Sequence, residues 1–246
     1  MALFSIKQYE VKSSDTNANN EMKPYALLHA LEDAAYTNAE SLGWGYSKTS
    51  TLNYGWFLIK YHLRFESFPK SLDVISIKTW AVRSKGVYCR REFEVYDANN
   101  NKIGVASTLW VLVDLETKKI LNPYKELDFP ELKTEHAIET TFPKIEPLSS
   151  IDISKEIEIT YDDIDLNRHV NNSNYLKFAI NTLSYDFLLS NTIKEIEIYY
   201  KKEAKYGDVI LSEAQFKEDI KETLHSIKNK ETGEELASIK VLWKEK

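Results

Sequence analysis

The sequence contains little cysteine, glycine or proline. Of its 246 residues, one is cysteine, seven are glycine and six are proline. The single cysteine, Cys89, excludes an internal disulfide and favours a reducing compartment. Scarce glycine and proline, together with 43% hydrophobic residues and 15 tyrosines, argue against a disordered or linker-rich chain. We therefore expect ordered strands and helices in one large domain or two small ones.

The sequence also lacks a basic excess and any long apolar run. Its formal net charge is −6, whereas general nucleic-acid binding requires clustered positive charge, so no nucleic-acid partner is expected. No apolar stretch approaches the ~20 residues that span a bilayer. The first residues, 1–7, lack the apolar run of a signal peptide. A cytoplasmic protein without a membrane partner is the expectation.

Six polar side chains fall within the eight residues 165–172. A strand-like segment precedes them and a helix-like segment follows, and such a turn aims backbone N–H groups outward from the helix start. Asp165, Asn167 and His169 alternate, so all three would reach one side of an extended segment. Packing does not require such a cluster, which makes it a candidate for chemistry. The alternative is a helix cap, for which Asp and Asn are ordinary residues.

The chain also repeats itself weakly. An Asp-x-Asn motif at 15–17 precedes Tyr25 by the spacing at which the motif at 165–167 precedes Tyr175. Apolar residues at helical spacing follow each motif, and alternating or β-branched runs follow each helix. The predicted helices cover 25–35 and 175–183, and the predicted strands cover 57–65, 73–80, 105–110, 196–202, 208–212 and 236–238. A long helix wrapped by a curved antiparallel sheet fits this order.

The alignment of the two halves shows which residues of the 165–172 cluster have counterparts in the first half. It aligns Asn19 with His169, so the imidazole is missing from the first half. Candidate counterparts of Glu203 are Glu66, if the strands are matched without a gap, and Phe68, if they are matched from the following strand. The first half therefore looks supporting and the second half catalytic.

Three blocks of residues together resemble the acyl-ACP (acyl carrier protein) thioesterases of plants and bacteria. They are 165–172 with Tyr175, 199–204 with Gly207–Asp208, and a first-half series of 73–80, 90–91 and 106–110. The resemblance implies an α+β fold of two tandem hotdog folds, each a long helix wrapped by a curved antiparallel β-sheet. We expect an N-terminal hotdog with the acyl-chain pocket at 1–131, a connector at 132–150 and a catalytic C-terminal hotdog at 151–246.

The resemblance further implies hydrolysis of fatty acyl-ACP to free fatty acid and ACP. It assigns catalytic roles to Asp165, Asn167, His169 and Glu203. In plant members a cysteine commonly follows the glutamate, but Ala204 stands here, so attack by water is the simpler chemistry. We expect Glu203 and His169 to activate water together, without a readable division of roles. Backbone N–H groups at the helix start are the expected oxyanion donors: Val170, Asn171 and Asn172.

The expected partner, ACP, is acidic, so an acidic enzyme needs a local basic patch to dock it. One option in the first half comprises Arg83, Lys85, Arg90 and Arg91. The other, which flanks Glu203 and is preferred for that reason, comprises Lys201, Lys202 and Lys205. The acyl pocket is expected among first-half aromatic residues, namely Trp44, Tyr54, Trp56, Phe57, Trp80 and Trp110.

Other functions stay open at this stage. A hotdog acyl-CoA thioesterase is a close rival, a non-catalytic acyl- or carrier-binding protein is a second, and a hotdog dehydratase is a third. No cofactor is expected, and no metal site, because no second His or Cys lies at ligand spacing from His169. The other histidines, His29, His62, His136 and His225, are expected to be structural, and Cys89 inert. Monomer and homodimer are both compatible with the sequence.

Overall fold

The computed structural model describes residues 3–129, 132–166, 168–217 and 221–246. The chain divides into two compact units, Met1–Thr141 and Phe142–Lys246. The division falls inside the predicted connector, 132–150. Among the helices of the described residues, none combines the length and the apolar character that a bilayer crossing requires.

The first unit is an antiparallel sheet with one long helix. Its strands run in the spatial order β1-β3-β4-β5-β2, and a short β6 pairs with β5. The strands are β1 Phe4–Glu10, β2 Tyr54–Phe65, β3 Val74–Arg83, β4 Tyr88–Tyr96, β5 Lys102–Asp114 and β6 Ile120–Leu121. The helices are α1 Pro24–Ser41, α2 Tyr46–Thr49 and α3 Pro123–Glu126.

Helix α1 forms because its apolar residues recur at helical spacing. Pro24 occupies its first turn, where a fixed φ and a missing N–H carry no cost. Leu27, Leu31 and Ala34 are fully buried, and α1 packs against β1 and β3. The facing strands contribute further fully buried residues such as Ile75. Burial of one Leu or Ile side chain contributes ~1.5–3 kcal/mol, so this helix–sheet contact forms the core of the first unit.

The second unit repeats the same plan. Its strands run in the order β8-β11-β10-β9-β7, and Leu176 and Ala179 of its long helix are buried against the sheet. The strands are β7 Ile153–Glu158, β8 Asn191–Tyr200, β9 Val209–Lys217, β10 Glu222–Asn229 and β11 Glu235–Glu245. The helices are α4 Asn172–Thr182 and α5 Tyr185–Ser190.

Both units therefore place their first strand beside the third and their second strand beside the fifth. This shared order confirms the predicted repeat and the α+β architecture of a long helix against an antiparallel sheet. Each predicted helix and strand overlaps an observed one. The largest difference at a strand end is at β11, which runs to Glu245, whereas the prediction ended at 238. At β8 the strand stops at Tyr200, whereas the prediction continued to Lys202.

Candidate active site

The loop that leads from β7 into α4 is held by the buried carboxylate of Asp163. Thr160 donates to one carboxylate oxygen through its backbone N–H (3.1 Å) and its hydroxyl (2.8 Å), which forms a capping box. Lys177 lies 3.3 Å from the other oxygen. The carbonyl oxygen of Asp163 accepts the N–H of Asn171, the N-cap of α4, at 2.9 Å. Asp163 therefore ties the start of the loop to the start of the helix.

Within this loop, Asp165 contacts His169 twice. The N–H of Asp165 donates to the carbonyl oxygen of His169 at 2.8 Å, and the N–H of His169 donates to Oδ1 of Asp165 at 3.3 Å. Arg168 takes a left-handed φ of 65° between them, which costs of order 1 kcal/mol in a non-glycine residue. Two hydrogen bonds thus hold a tight turn that presents His169. Asn167, also predicted to be catalytic, lies outside the described residues.

Glu203 follows β8 and is placed by its neighbour Ala204. Ala204 is fully buried. Its N–H donates to the hydroxyl of Tyr175 on α4 at 2.8 Å, and its carbonyl oxygen accepts the N–H of Val170 at 3.0 Å. Val170 directly follows His169. One buried residue therefore connects the two chain segments that carry His169 and Glu203.

The result is a histidine–glutamate pair. Nδ1 of His169 lies 3.3 Å from Oε2 of Glu203. This is ion-pair distance, although Nδ1 of His169 forms no hydrogen bond with any described residue. The His169 side chain is 28% exposed and that of Glu203 is 42% exposed, so a small molecule such as water can reach both. An imidazole beside a carboxylate is a common arrangement for general acid–base chemistry.

Tyr175 supplies a neutral acceptor to this arrangement. Its burial raises the pKa of the phenol well above the ordinary value. The hydrogen bond from Ala204 opposes this rise, and the nearby negative charges of Glu203, Asp208 and Asp165 add to it. The hydroxyl therefore stays protonated at neutral pH. At neutral pH the acceptor of the Ala204 N–H is therefore a neutral hydroxyl.

The helix start offers fewer oxyanion donors than predicted. The N–H of Val170 donates to Ala204, and the N–H of Asn171 donates to Asp163. Ser173 donates its N–H to the side chain of the N-cap, Asn171, at 2.9 Å. The N–H of Asn172 occupies the first helical position, which has no acceptor within the helix. Of the three predicted oxyanion donors, Asn172 is therefore the one whose N–H is not engaged by these bonds.

Two hydrogen bonds correct the register of the internal repeat. Before α1, the N–H of Lys23 donates to the carbonyl oxygen of Asp15 at 2.7 Å; before α4, Asn171 donates to Asp163 at 2.9 Å. Asp15 thus corresponds to Asp163, and not to Asp165 as the sequence alignment predicted. The predicted register was wrong by two residues, because the Asp-x-Asn match ignored which carbonyl caps the helix.

The corrected register changes the counterpart of His169. Isolated bridges join Thr16 to Met22 in the first unit and Ile164 to Val170 in the second. Met22 therefore corresponds to Val170, and Glu21, not Asn19, stands where the second unit has His169.

The same comparison identifies the first-unit counterpart of Glu203. Met22 donates its N–H to the carbonyl oxygen of Pro69 at 2.7 Å, as Val170 donates to Ala204 at 3.0 Å. Pro69 thus corresponds to Ala204, and Phe68 precedes it where the second unit has the glutamate. Both members of the pair differ in the first unit, so the histidine–glutamate pair is not a feature that the fold itself requires.

The structure overturns two members of the first predicted docking patch. Arg90 and Arg91 are only 9% and 6% exposed. Arg90 donates to the side chain of Glu92 and to the carbonyl oxygen of Ile138 at 2.7 Å, and Arg91 donates to Oδ1 of Asn38 at 2.8 Å. Buried guanidinium groups engaged in this way cannot present their charge to a carrier protein. The prediction that Arg90 and Arg91 dock ACP is wrong.

The second predicted patch is partly neutralised. The side chain of Lys201 pairs with Glu235, and that of Lys202 pairs with Glu234. Lys205 is exposed; its N–H donates to Oδ2 of Asp208 at 2.9 Å and its carbonyl oxygen accepts the N–H of Asp208 at 3.1 Å, and its ammonium group forms no ion pair with a carboxylate among the described residues. Lys205 is therefore the lysine of this patch whose charge the structure leaves for a partner.

The first unit contains an apolar cluster that includes several predicted pocket residues. Its buried members are Trp44, Ala81, Cys89, Leu112 and Leu127. Around them pack half-buried apolar side chains, among them Tyr54, Trp56 and Trp110. Of the six aromatic residues predicted to form the acyl pocket, four therefore share one cluster, and Phe57 and Trp80 are not among its members.

Two residues of the site escaped the sequence analysis. Tyr175 served there only as a marker of the repeat, and Asp163 was not singled out. The Thr160-x-x-Asp163 spacing is a recognisable capping signal and could have indicated Asp163. A single sequence carries no comparable signal for Tyr175, because its acceptor role depends on which distant N–H lies beside it.

Family models match most of the chain. The model described as the acyl-ACP thioesterase N-terminal domain matches residues 3–128. The model described as the acyl-ACP thioesterase C-terminal domain matches residues 148–245.

Curated relatives and solved structures agree with these matches. The chain is 23% identical to the chloroplastic oleoyl-acyl carrier protein thioesterase 2 of Arabidopsis thaliana, covering 84% of this chain and 62% of the relative. It is also 23% identical to the chloroplastic acyl-[acyl-carrier-protein] hydrolase FATB2 of Cuphea viscosissima, covering 85% and 53%. The chain thus spans about half to three-fifths of the length of these relatives.

Two solved structures share the fold over nearly the whole chain. An acyl-ACP thioesterase from Bacteroides thetaiotaomicron superposes with a TM-score of 0.85 at 22% identity, covering 98% of each chain. The 12:0-ACP thioesterase from Umbellularia californica superposes with a TM-score of 0.88 at 19% identity, covering 100% of this chain and 99% of the other. The tandem hotdog architecture predicted from the sequence is confirmed.

Proposed function

Because this chain belongs to the acyl-ACP thioesterase family, we propose that it hydrolyses the thioester of a fatty acyl-ACP to free fatty acid and ACP. The observation that carries the proposal is the pair of His169 Nδ1 and Glu203 Oε2 at 3.3 Å in the second unit. A protein that only bound acyl chains would need neither side chain. The reaction is proposed to belong to fatty acid synthesis and to take place in the cytoplasm.

The pair is proposed to act on water as a unit. Glu203 and His169 together remove a proton as the water oxygen attacks the thioester carbonyl carbon. Collapse of the tetrahedral intermediate breaks the carbon–sulfur bond, and the thiol of the carrier leaves with a proton. A positioned base of this kind typically contributes ~10²–10⁴-fold to the rate.

The loop supplies the remaining groups. Asp165 is proposed to position His169 through their two backbone-mediated contacts. The N–H of Asn172, at the positive end of α4, is the proposed donor to the oxyanion. Asn167 is proposed to hold the attacking water or the carbonyl oxygen.

Water is the proposed nucleophile because the chain offers no suitable thiol. The position after Glu203 is occupied by Ala204. The single cysteine, Cys89, is buried, and this burial raises the pKa of its thiol to about 11. A thiol with that pKa is protonated at neutral pH and is a poor nucleophile.

The first unit is proposed to bind the acyl chain. The apolar cluster around Trp44, Ala81 and Leu112 combines large aromatic rings with small side chains. Such surfaces bind alkyl chains through burial of apolar area, at ~0.8 kcal/mol per methylene group. Lys205, beside Glu203, is the proposed contact for the acidic carrier protein.

Hydrolysis of an acyl-ACP panel of different chain lengths, by the parent and His169→Ala proteins, tests reaction, substrate and site together. We expect release of free fatty acid by the parent and a loss of ~10²-fold or more in kcat for the variant. Lys48→Ala, an exposed change in the first unit, is the control and should retain parent activity.

Matched acyl-CoA substrates separate the rival functions. A higher kcat/KM on acyl-CoA than on the matched acyl-ACP would contradict the proposal in favour of an acyl-CoA thioesterase. Tight binding of acyl-ACP with no released acid would identify a binding protein instead. Equal rates for the parent and His169→Ala would show that the proposed catalytic residues are wrong, although the family assignment would still hold.

A further inference from the structure

The first unit contains an open cavity lined by positive charge. Its volume is about 720 Å³. The lining residues come from the end of β3, the turn that follows it and β4, from α3 and its N-cap, and from the segment after α3. The charged or titratable ones are Arg83, Lys85, Arg90, Lys125 and His136. No aspartate or glutamate lines the cavity in the described part of the chain. This concentration of one sign is unexpected in a chain whose net charge is −6.

Arg83 is held in place at the rim of the cavity. Its guanidinium lies 4.8 Å from the centre of the Tyr124 ring, a cation–π contact that leaves the N–H donors free to point elsewhere. Tyr124 is itself anchored, because its hydroxyl donates to the carbonyl oxygen of Tyr88 at 2.9 Å and accepts the N–H of Ser84 at 3.0 Å. The turn and α3 are thus joined, and the position of Arg83 is set before any ligand arrives.

Another part of the cavity wall, formed by Arg90 and His136, is held by the fully buried carboxylate of Glu92. Its oxygens accept from Arg90, from the hydroxyl of Ser107 at 2.8 Å and from the N–H of Ala137 at 3.0 Å. Nδ1 of His136 lies 3.2 Å from the same carboxylate, which leaves Nε2 as the ring nitrogen for a ligand. Since Glu92 balances Arg90, the net positive charge of the cavity comes from the other cations.

Those other cations are not balanced by the protein. Within the described ranges, Arg83, Lys85 and Lys125 form no ion pair with a carboxylate. Three uncompensated positive charges around one concave surface raise the local concentration of anions. Guanidinium and ammonium groups are the side chains that proteins use most to bind phosphate.

We propose that this cavity is a binding site for a phosphate ester, with Arg83, Lys85 and Lys125 contacting the phosphate oxygens and His136 donating from Nε2. The volume exceeds what a lone phosphate fills and lies in the range of sites for small organic ligands, which is why an ester is favoured over the free ion. Binding of a phosphate ester here does not require the thioester chemistry proposed for the second unit, whereas assignment of that ester to an acyl donor rests on the proposed function. Two sources offer this chemistry: free phosphorylated metabolites and the phosphopantetheine group of an acyl donor.

Isothermal titration calorimetry on the full chain at low ionic strength tests the site. Pyrophosphate serves as the general probe, and 4′-phosphopantetheine is compared with unphosphorylated pantetheine to separate the two sources. We expect both phosphate-bearing probes to bind and pantetheine not to bind. Binding of pyrophosphate without binding of 4′-phosphopantetheine would support the site and assign it to free phosphorylated metabolites. Binding of pantetheine as tightly as its phosphate would overturn the proposal, as would absence of binding by either phosphate probe.

Charge-removing variants locate the binding. Arg83→Met keeps an unbranched chain over Tyr124 and removes the charge, and Lys125→Met does the same on α3. Each should weaken pyrophosphate binding by about tenfold, the effect of losing one charge-assisted contact. Lys48→Ala, which removes one exposed charge outside the cavity, should leave the affinity unchanged. Equal weakening by all three variants would show general charge attraction and overturn the site, and circular dichroism spectra would confirm that the variants are folded.

Discussion

Glu203→Gln separates catalysis from folding at the proposed site. The substitution preserves the size of the side chain and removes its negative charge. Glu203 is 42% exposed and lies 3.3 Å from His169. Its backbone is held through Ala204, whose contacts with Tyr175 and Val170 do not involve the carboxylate. The variant should therefore fold like the parent and still present His169 in the same loop.

The two expected magnitudes differ enough to be told apart. An ion pair between partly exposed side chains contributes at most ~1 kcal/mol to the free energy of unfolding. Loss of a general base costs ~10²–10⁴-fold in rate, which corresponds to about 3–5 kcal/mol in the activation free energy at 1.36 kcal/mol per tenfold. We thus expect a large fall in kcat with almost no change in stability.

Two measurements check this expectation. The thiol of ACP released from acyl-ACP is followed with a chromogenic disulfide reagent, and the free energy of unfolding is measured in urea. The matched control is Glu156→Gln, which removes an exposed carboxylate whose partner is Lys230. The control should match the parent in kcat and differ from it by less than ~1 kcal/mol in stability.

Two outcomes would refute the reasoning. A Glu203→Gln protein that keeps a third or more of the parent kcat would show that the carboxylate is not part of the base. A loss of several kcal/mol in unfolding free energy would show that Glu203 is structural. The double variant with His169→Ala should be little slower than either single variant, because residues that act as a unit are not additive.

Three further substitutions test other parts of the structure. Tyr175→Phe removes the acceptor for the buried Ala204 N–H, so the unfolding free energy should fall by ~1–3 kcal/mol and kcat should fall with it; unchanged urea midpoint and kcat would contradict the positioning role. Ala81→Leu should lower kcat/KM for the longest accepted acyl-ACP at least ~tenfold relative to shorter ones, whereas a uniform loss across the panel would place the acyl chain elsewhere. Burial lowers the pKa of His225 to about 3, below its value of ~6.5 in the unfolded chain, so the unfolded state binds the extra proton. Stability should therefore fall by ~1.4 kcal/mol per pH unit below pH ~6.5, and urea unfolding of His225→Leu should lack this slope; equal slopes in both proteins would contradict it.

Local patterns in the sequence were sufficient for most of the fold. Apolar residues at helical spacing located α1 and α4, and alternating runs located the main strands. These signals work because each element buries one face, which leaves a periodic trace in a single sequence. The weak repeat followed from the same traces, since both units use one order of elements.

Details that depend on long-range contacts were not predictable in the same way. Aligning the two Asp-x-Asn motifs placed the repeat two residues out of register. The correct register is set by backbone hydrogen bonds from Lys23 to Asp15 and from Asn171 to Asp163, which any residue type can form. Arg90 was predicted to be exposed for a comparable reason. Arginine is usually a surface residue, and the sequence does not reveal that Glu92 and the carbonyl oxygen of Ile138 lie beside it.

By itself, the sequence determined the family, the two-unit α+β architecture, and His169 and Glu203 as candidates for catalysis. Only the tertiary structure decided that these two side chains meet, 34 positions apart in the chain and 3.3 Å apart in space. The physical reason is the buried backbone of Ala204, whose N–H donates a hydrogen bond to the hydroxyl of Tyr175 and whose carbonyl oxygen accepts one from the N–H of Val170. Periodicity reports which face of an element is buried, whereas the meeting of two loops depends on backbone hydrogen bonds that any residue type can make.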